Sequence, residues 1–247
     1  MDFLAGARLP SVCTFTLAAC VLLLGTGACG SSATPVAEQR PVLTPATVAA
    51  APRFSDEVER FVAADRASMP PAGGVLFVGS SSIRMWPHLA TDFPGARTIQ
   101  RGVGGTRLDE ILAFAPRIVL PYKPRLIVLY AGDNDIAEGR SPAEVLASFR
   151  EFVELVHRSL PGTRIAFVSI KPSESRWSLV EEMTSANALV RQFAESDSMV
   201  AYVDVFGAML GADGHARPEL FLADKLHMTE EGYAIWRRIL APVVANF

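Results

Sequence analysis

The chain has only three cysteines, and all of them lie within its first 29 residues, at Cys13, Cys20 and Cys29. Disulfide frameworks, thiolate zinc sites, iron–sulfur clusters and cysteine nucleophiles are therefore excluded from the remainder. Neither sign of charge is in large excess, since 23 Lys+Arg face 26 Asp+Glu and give a net charge of -3. The chain therefore lacks the excess of basic residues that is typical of a nucleic-acid-binding protein. With 50% hydrophobic residues in 247, the chain is long enough and apolar enough for one buried domain.

The amino-terminal segment has the pattern of an export signal. The apolar run Val12–Leu24 is shorter than the roughly 20 residues that span a bilayer core. Small residues at 25–28 then precede Cys29 and resemble a bacterial lipobox, although Thr26 stands where a leucine is usual. This resemblance implies lipidation of Cys29. Residues 17–20 are nominally a better lipobox, but cleavage before Cys20 would leave an apolar run at the mature end, so Cys29 is favoured. An ordinary cleaved signal peptide with an incidental cysteine stays open as the alternative.

Composition divides the chain into three parts. Residues 1–28 are predicted to be a lipoprotein-type signal peptide. Residues 29–53 are rich in Ser, Thr, Ala and Pro, cannot bury a core, and are predicted to be a flexible tether. Residues 54–247 are predicted to fold. The predicted location is outside the cytoplasm, facing the periplasm or the cell surface, with the membrane contacted only through a lipid anchor.

Apolar runs and helical patterns alternate along the predicted domain. Five runs are long enough for strands, and several are continuous, as in strands covered on both faces. They span residues 75–78, 97–100, 126–130, 165–168 and 200–206. Helical spacing separates them, most clearly after the Ser141–Glu144 capping box with its proline at the first helical position. The alternation predicts an α/β fold, a three-layer α/β/α sandwich with a five-stranded parallel, flavodoxin-like sheet.

Polar blocks follow the ends of the predicted strands and precede the last helix. They are Gly79–Ser82, Arg101–Thr106, Tyr130–Asp135 and Asp224–His227. In open parallel sheets ligands bind beyond the carboxyl ends of the strands, so these blocks are expected on one rim. Each block alone is a weak signal, because Ser, Gly, Asn and Asp also cap helices and form turns. Together they supply a hydroxyl nucleophile, an imidazole with a nearby carboxylate, and further hydrogen-bond donors.

The order of these blocks resembles that of the SGNH (GDSL-like) hydrolases over nearly all of residues 54–247. The most specific matches are Gly132-x-Asn134-Asp135 and Asp224-x-x-His227. The block Gly79-Ser80-Ser81 matches with Ser80 in place of the usual aspartate, and Gln100 stands where many members have asparagine. The pattern itself does not separate Ser80, Ser81 and Ser82 as nucleophiles.

The resemblance implies a role for each matched residue. Ser81 would be the nucleophile, His227 the general base, and Asp224 the group that orients the imidazole. The oxyanion hole would comprise the backbone N–H groups of Ser81 and Gly105 and the side-chain amide of Asn134. No cofactor and no metal is implied. The implied activity is hydrolysis of an acyl ester, acetyl esters included, through an acyl-enzyme intermediate.

Other residues leave alternatives open. Trp177 follows the fourth strand and is equally compatible with walling a substrate pocket and with plain packing. Asp133 and Asp135 are expected to brace a loop, and His215 to lie in an exposed loop. The alternatives to an esterase are a non-catalytic envelope lipoprotein that binds glycan or lipid on the same rim, and an acyltransferase with the same triad. The substrate is expected to be a small-molecule, glycan or lipid ester, and no oligomeric state is predicted.

Overall fold

The structure, a computed structural model, describes residues 52–246. The strands in this range are β1 (Val75–Gly79), β2 (Thr98–Gly102), β3 (Leu126–Tyr130), β4 (Arg164–Val168) and β5 (Val200–Val203). The α-helices are α1 (Ser55–Ala67), α2 (Ser81–Arg84), α3 (Leu89–Asp92), α4 (Leu108–Ile118), α5 (Asp133–Ala137), α6 (Pro142–Ser159), α7 (Val180–Glu195) and α8 (Glu230–Ala245). The predicted signal peptide, Cys29 and the tether up to residue 51 lie outside the described residues.

All five strands are parallel, in the order β2-β1-β3-β4-β5. The direction of strand addition reverses between β1 and β3, which is where such sheets bind ligands. At this point Gly79 pairs with Gly102 on one side and with Tyr130 on the other. The segments that leave β1, β2 and β3 therefore start side by side on one edge of the sheet.

Helices cover both faces of the sheet. Leu76 and Val78 pack into a core with residues of α1, α4, α6 and α7, while Val75 and Phe77 pack into a second core with residues of α2, α3 and α8. Every residue of β1 and β3 is buried, which is why these strands read as continuous apolar runs. The predicted α/β/α sandwich with five parallel strands is confirmed.

Side-chain caps close to the first turn fix where helices α6 and α8 begin. At α6 the Glu144 backbone N–H donates to Ser141 Oγ at 3.3 Å, and the Ser141 N–H donates to Glu144 Oε2 at 2.8 Å. This is the capping box that the sequence predicts. At α8 the Thr229 hydroxyl accepts from the Gly232 N–H at 3.4 Å. None of the helices from residue 52 to 246 has both the length and the apolar character to cross a bilayer.

Only β3 has the predicted limits; β1, β2 and β4 differ by one or two residues at one or both ends, and β5 differs by three. The fifth strand ends at Val203 rather than residue 206, because the N–H groups of Val205 and Phe206 donate to Ser169 Oγ, at 2.9 and 3.2 Å, and so leave the ladder. The second strand continues to Gly102. A Cβ at Gly102 would lie 2.1 Å from the Arg84 backbone nitrogen, so the missing side chain lets α2 pack directly on this strand end.

Candidate active site

The turn from β1 into α2 presents three consecutive serines. Gly79 has φ +150, and a Cβ there would lie 2.0 Å from the Tyr130 carbonyl oxygen, so only glycine fits. Ser80 and Ser82 are buried, whereas Ser81 at the first position of α2 is partly exposed. The tertiary structure therefore separates three hydroxyls that the sequence pattern leaves equivalent.

Ser81, His227 and Asp224 form a continuous hydrogen-bonded chain. The Ser81 hydroxyl lies 2.9 Å from His227 Nε2, although the two residues are 146 positions apart in the sequence. The other ring nitrogen, Nδ1, lies 2.6 Å from Asp224 Oδ2. With Nδ1–H donating to the carboxylate, Nε2 is left free to accept the serine proton.

The Asp224 carboxylate is held by its own turn. Its Oδ1 accepts the backbone N–H groups of Leu226 and His227, both at 2.9 Å, and Lys225, between Asp224 and Leu226, has φ +58. Burial on its own raises the pKa of Asp224, but the hydrogen bonds from the His227 ring and from the two backbone N–H groups outweigh it and lower the pKa to about 2. Asp224 is therefore anionic at all pH values where an imidazole acts as a base.

A buried lysine lies beneath this turn. Lys171 follows β4, and its ammonium donates to the Leu226 carbonyl at 2.8 Å and lies 5.5 Å from the Phe221 ring centroid. Burial lowers the pKa of Lys171 to about 8, with the negative charges of Asp133 and Asp224 acting in the opposite direction. Lys171 thus connects the segment after β4 to the turn that carries His227. The sequence did not predict this contact.

The three predicted oxyanion donors lie at the start of α2, in the loop after β2 and at the start of α5. The backbone N–H groups of Ser81 and Gly105 donate to no other group within residues 52–246, and Gly105 has φ +81. Asn134, near the start of α5, is buried and donates through Nδ2 to the Thr106 carbonyl at 2.9 Å. That bond joins the loop after β2 to the first turn of α5.

Two side chains brace these loops from outside the predicted site. Glu57 of α1 accepts the Gly104 N–H at 3.0 Å, which holds the glycine-rich loop. Gln100 of β2 donates through Nε2 to the Ile83 carbonyl at 2.6 Å and to the Trp86 carbonyl at 3.2 Å. The glutamine thus satisfies carbonyls at the carboxyl end of α2, the helix that carries Ser81.

Asp133 and Asp135 brace loops, as expected. Asp133 Oδ1 accepts the Asn134 N–H at 2.9 Å, and its Oδ2 lies 3.1 Å from Arg176 Nη1. Asp135 accepts the Leu108 N–H at 3.1 and 3.2 Å through its two oxygens, at the start of α4. No group of three or more His, Cys, Asp or Glu side chains in the described part of the chain is arranged to hold a metal ion.

The capping carboxylate of Asp135 makes stability depend on pH. Burial raises the pKa of Asp135 to about 6, against the opposing effect of the Leu108 N–H. Between pH 4 and 6 the folded chain therefore binds more protons at this group than the unfolded chain, and its contribution to stability falls as pH rises. We expect Asp135→Asn, which cannot ionise, to gain up to about 3 kcal/mol relative to the parent protein between pH 4 and pH 7.

Urea unfolding at both pH values measures this difference. Asp56→Asn, on the exposed side of α1, is the control and should show no comparable change. A pH-independent difference for Asp135→Asn would contradict the assignment.

Trp177 lies partly buried in the segment after β4. It packs against the core on the α8 side of the sheet, and its ring stacks on that of His215, with centroids 4.8 Å apart and an interplanar angle of 27°. His215 is exposed, as expected. That Trp177 walls a substrate pocket stays a prediction.

Comparison with known proteins bears on the whole domain. The family model described as GDSL-like Lipase/Acylhydrolase matches residues 72–235. Comparison with curated proteins found no match. Among solved structures, a protein from Streptococcus pneumonia described as a platelet activating factor shares 21% identity, covers 77% of this chain and 92% of its own, and superposes with a TM-score of 0.70.

Two further solved structures have the same fold. A GDSL-like lipase from Bacteroides thetaiotaomicron shares 21% identity over 76% of this chain and 97% of its own, with a TM-score of 0.68. An acetylxylan esterase from Geobacillus stearothermophilus shares 16% identity over 70% and 95%, with a TM-score of 0.57. The match of the family model over most of the chain, together with the fold, shows that the chain belongs to the GDSL-like lipase/acylhydrolase family and is an ester hydrolase.

Proposed function

We propose that the chain is a serine esterase in which Ser81, His227 and Asp224 form the catalytic triad. The observation that carries the proposal is the unbroken chain of hydrogen bonds, 2.9 Å from Ser81 Oγ to His227 Nε2 and 2.6 Å from Nδ1 to Asp224. A nucleophile within reach of its base, with the base oriented by a third group, is the arrangement that activates a hydroxyl. A protein that only binds glycan or lipid needs no such contact.

In the first half-reaction Ser81 Oγ attacks the carbonyl carbon of the ester, and Nε2 of His227 takes the hydroxyl proton. The resulting imidazolium is stabilised by the Asp224 carboxylate. As the tetrahedral intermediate collapses, the bond to the alcohol oxygen breaks and the imidazolium returns the proton to that oxygen. The alcohol leaves, and the acyl group stays on Ser81.

In the second half-reaction water replaces the alcohol. His227 accepts a proton from the water that attacks the acyl-serine, and then returns it to Ser81 Oγ when the carboxylic acid is released. The negative charge of both tetrahedral intermediates falls on the former carbonyl oxygen. The free N–H groups of Ser81 and Gly105 and the remaining N–H of Asn134 are the donors proposed for it.

We propose an ester of a short acyl group, acetyl esters included, as the substrate class. The similarity in fold to an acetylxylan esterase supports testing acetylated sugars beside simple acetyl and butyryl esters. An acyltransferase would use the same first half-reaction and deliver the acyl group to a hydroxyl acceptor. Product analysis with a sugar acceptor present distinguishes the two, because only the transferase yields an acylated acceptor.

Covalent labelling tests the proposal without knowledge of the natural substrate. A fluorophosphonate reacts with a serine activated by an adjacent base and leaves a stable phosphonyl adduct on its oxygen. One adduct per chain is expected, on the peptide that contains Ser81, and none on Ser81→Ala. An unlabelled folded protein, or an adduct elsewhere that survives in Ser81→Ala, would refute the triad; the lipoprotein alternative predicts no adduct at all.

We further propose that the enzyme is exported and anchored to a bacterial membrane through a lipid on Cys29. The support is the apolar run followed by small residues before this cysteine. When the gene is expressed in bacteria fed labelled palmitate, the full chain should incorporate label, and Cys29→Ala should lose it. Cys20→Ala is the matched control and should keep it; label retained in Cys29→Ala would contradict the proposal.

A further inference from the structure

Arg176 reaches the oxyanion side of the site from the segment after β4. Its side chain is only 17% exposed, and its guanidinium contacts the first two residues of α5, the helix that follows β3. Nη2 donates to Asn134 Oδ1 at 2.9 Å, and Nη1 lies 3.1 Å from Asp133 Oδ2. The pattern of motifs in the sequence gives Arg176 no role.

The Asn134 side-chain amide can form only a few hydrogen bonds, and the contact with Arg176 determines which of its groups remain available. An amide has one acceptor oxygen and two N–H donors. The oxygen is taken by Arg176, and one N–H donates to the Thr106 carbonyl at 2.9 Å. One N–H is therefore left for a developing oxyanion.

The guanidinium also fixes which way round the amide lies. If the amide were rotated by 180°, its nitrogen would face the Nη2 of Arg176, donor against donor, and its oxygen would face the Thr106 carbonyl, acceptor against acceptor. Both contacts would be repulsive. Without Arg176 only the Thr106 contact would oppose the rotation.

Asp133 anchors the guanidinium in this position. The carboxylate is nearly buried, with 5% of its side chain exposed. It accepts the Asn134 backbone N–H through the other oxygen, at 2.9 Å, so Arg176 and Asp133 hold Asn134 through both its side chain and its backbone. A planar guanidinium makes the two contacts at once through its paired nitrogens, whereas a lysine ammonium offers a single point charge.

The positive charge of Arg176 has a second effect, besides orienting the amide. A hydrogen bond from a cation to the amide oxygen withdraws electron density from the amide and strengthens its remaining N–H as a donor. The effect is greatest when negative charge develops on the carbonyl oxygen of the substrate, that is, in the transition state. The expected signature is therefore a loss in kcat with little change in KM.

We propose that Arg176 is a positioning residue of the oxyanion hole, acting through the side chain of Asn134. The inference rests on the proposed function, since it assigns a partner to one of the proposed oxyanion donors. Removal of one such donor costs about 10²–10³ in kcat. Loss of Arg176 leaves the donor present but less well oriented, so about a 10- to 100-fold loss is expected, with KM changed less than threefold.

A double-mutant cycle on kcat distinguishes this role from a structural one. Arg176→Ala, Asn134→Ala and the double variant are compared with the parent on one acetyl ester. If Arg176 acts through Asn134, the double variant should be no slower than Asn134→Ala, so the loss caused by Arg176→Ala disappears in that background. Equal losses in both backgrounds would overturn the inference.

Two further variants complete the design. Arg176→Lys should recover little of the lost kcat, and recovery to the parent value would contradict the two-point contact. Arg191→Ala, on the exposed side of α7 where its guanidinium bonds Asp204 at 2.7 Å, is the matched control and should keep the parent kcat. If Arg176→Ala does not unfold cooperatively in a thermal scan, Arg176→Gln replaces it in the same cycle.

Labelling with the fluorophosphonate distinguishes failure of the proposed triad from failure of the role proposed for Arg176. If the parent protein forms no adduct at Ser81, the proposed function fails. If the adduct forms and the cycle is additive, only the role of Arg176 fails.

Discussion

Replacement of Ser81 by alanine is expected to lower kcat for a short acyl ester by about 10⁶-fold, the order of magnitude lost when the nucleophilic serine is removed from a triad. Alanine keeps the backbone N–H that serves as an oxyanion donor, and it retains helix α2. The binding of substrate and the free energy of unfolding should therefore change little. The measurement is the steady-state rate on an acetyl ester, together with urea unfolding of each protein.

The neighbouring serines provide matched controls of the same residue type. Ser80 and Ser82 are buried, and Ser80 Oγ has no hydrogen-bond partner within residues 52–246. Removing an unpaired buried hydroxyl costs little, so Ser80→Ala should turn over within about threefold of the parent. Ser82→Ala should lose far less activity than Ser81→Ala, because the hydroxyl that meets His227 Nε2 is that of Ser81. A folded Ser81→Ala with undiminished turnover, or an equal loss in Ser82→Ala, would rule out Ser81 as the nucleophile.

Replacement of Asp224 by asparagine is expected to reduce kcat by about 10³–10⁴-fold, because it stabilises the wrong tautomer of His227. The backbone N–H groups of Leu226 and His227 both donate to one carboxylate oxygen. An asparagine must turn its oxygen toward these donors, so its NH₂ faces Nδ1 of the imidazole. Nδ1 then becomes the acceptor, and the proton moves to Nε2, where it blocks transfer from Ser81.

The prediction for Asp224 is checked by kinetics and by NMR of the imidazole. Asp224→Asn should unfold at a temperature close to that of the parent, since the turn keeps its oxygen acceptor. Asp213→Asn is a matched control, because Asp213 also accepts the N–H of a histidine two residues on, at 3.0 Å, without belonging to the proposed triad. An Asp224→Asn protein with near-parental kcat would show that His227 needs no carboxylate to hold its tautomer.

Much of the fold can be predicted from the sequence because its signals are local. Strands buried on both faces need runs of apolar residues, and the capping box at Ser141 and Glu144 satisfies helix N–H groups within three positions. The limits of strands are less predictable. Strand β5 stops early because Ser169, on the segment after β4, accepts the backbone N–H groups of Val205 and Phe206. No residue close to position 204 in the sequence predicts this hydrogen-bond acceptor.

The four site blocks could be predicted for a topological reason. Parallel strands end on one edge, so polar residues that directly follow several of them share that edge whatever the sequence between them. The bracing residues carry no comparable signal. Arg176 bonds Asn134 across 42 positions and Lys171 bonds Leu226 across 55, and a lone Arg or Lys after a strand is most often a surface residue.

The sequence by itself therefore determined the layer architecture, the parallel sheet and the four segments that border the site, because burial and strand order leave a pattern in the residues. Only the tertiary structure decided which of the three adjacent serines meets the imidazole, and which charged side chains hold the oxyanion loop and the histidine turn. Those outcomes depend on the direction of individual side chains and on hydrogen-bond distances between segments that are far apart in the sequence. Residue type and spacing do not encode such distances.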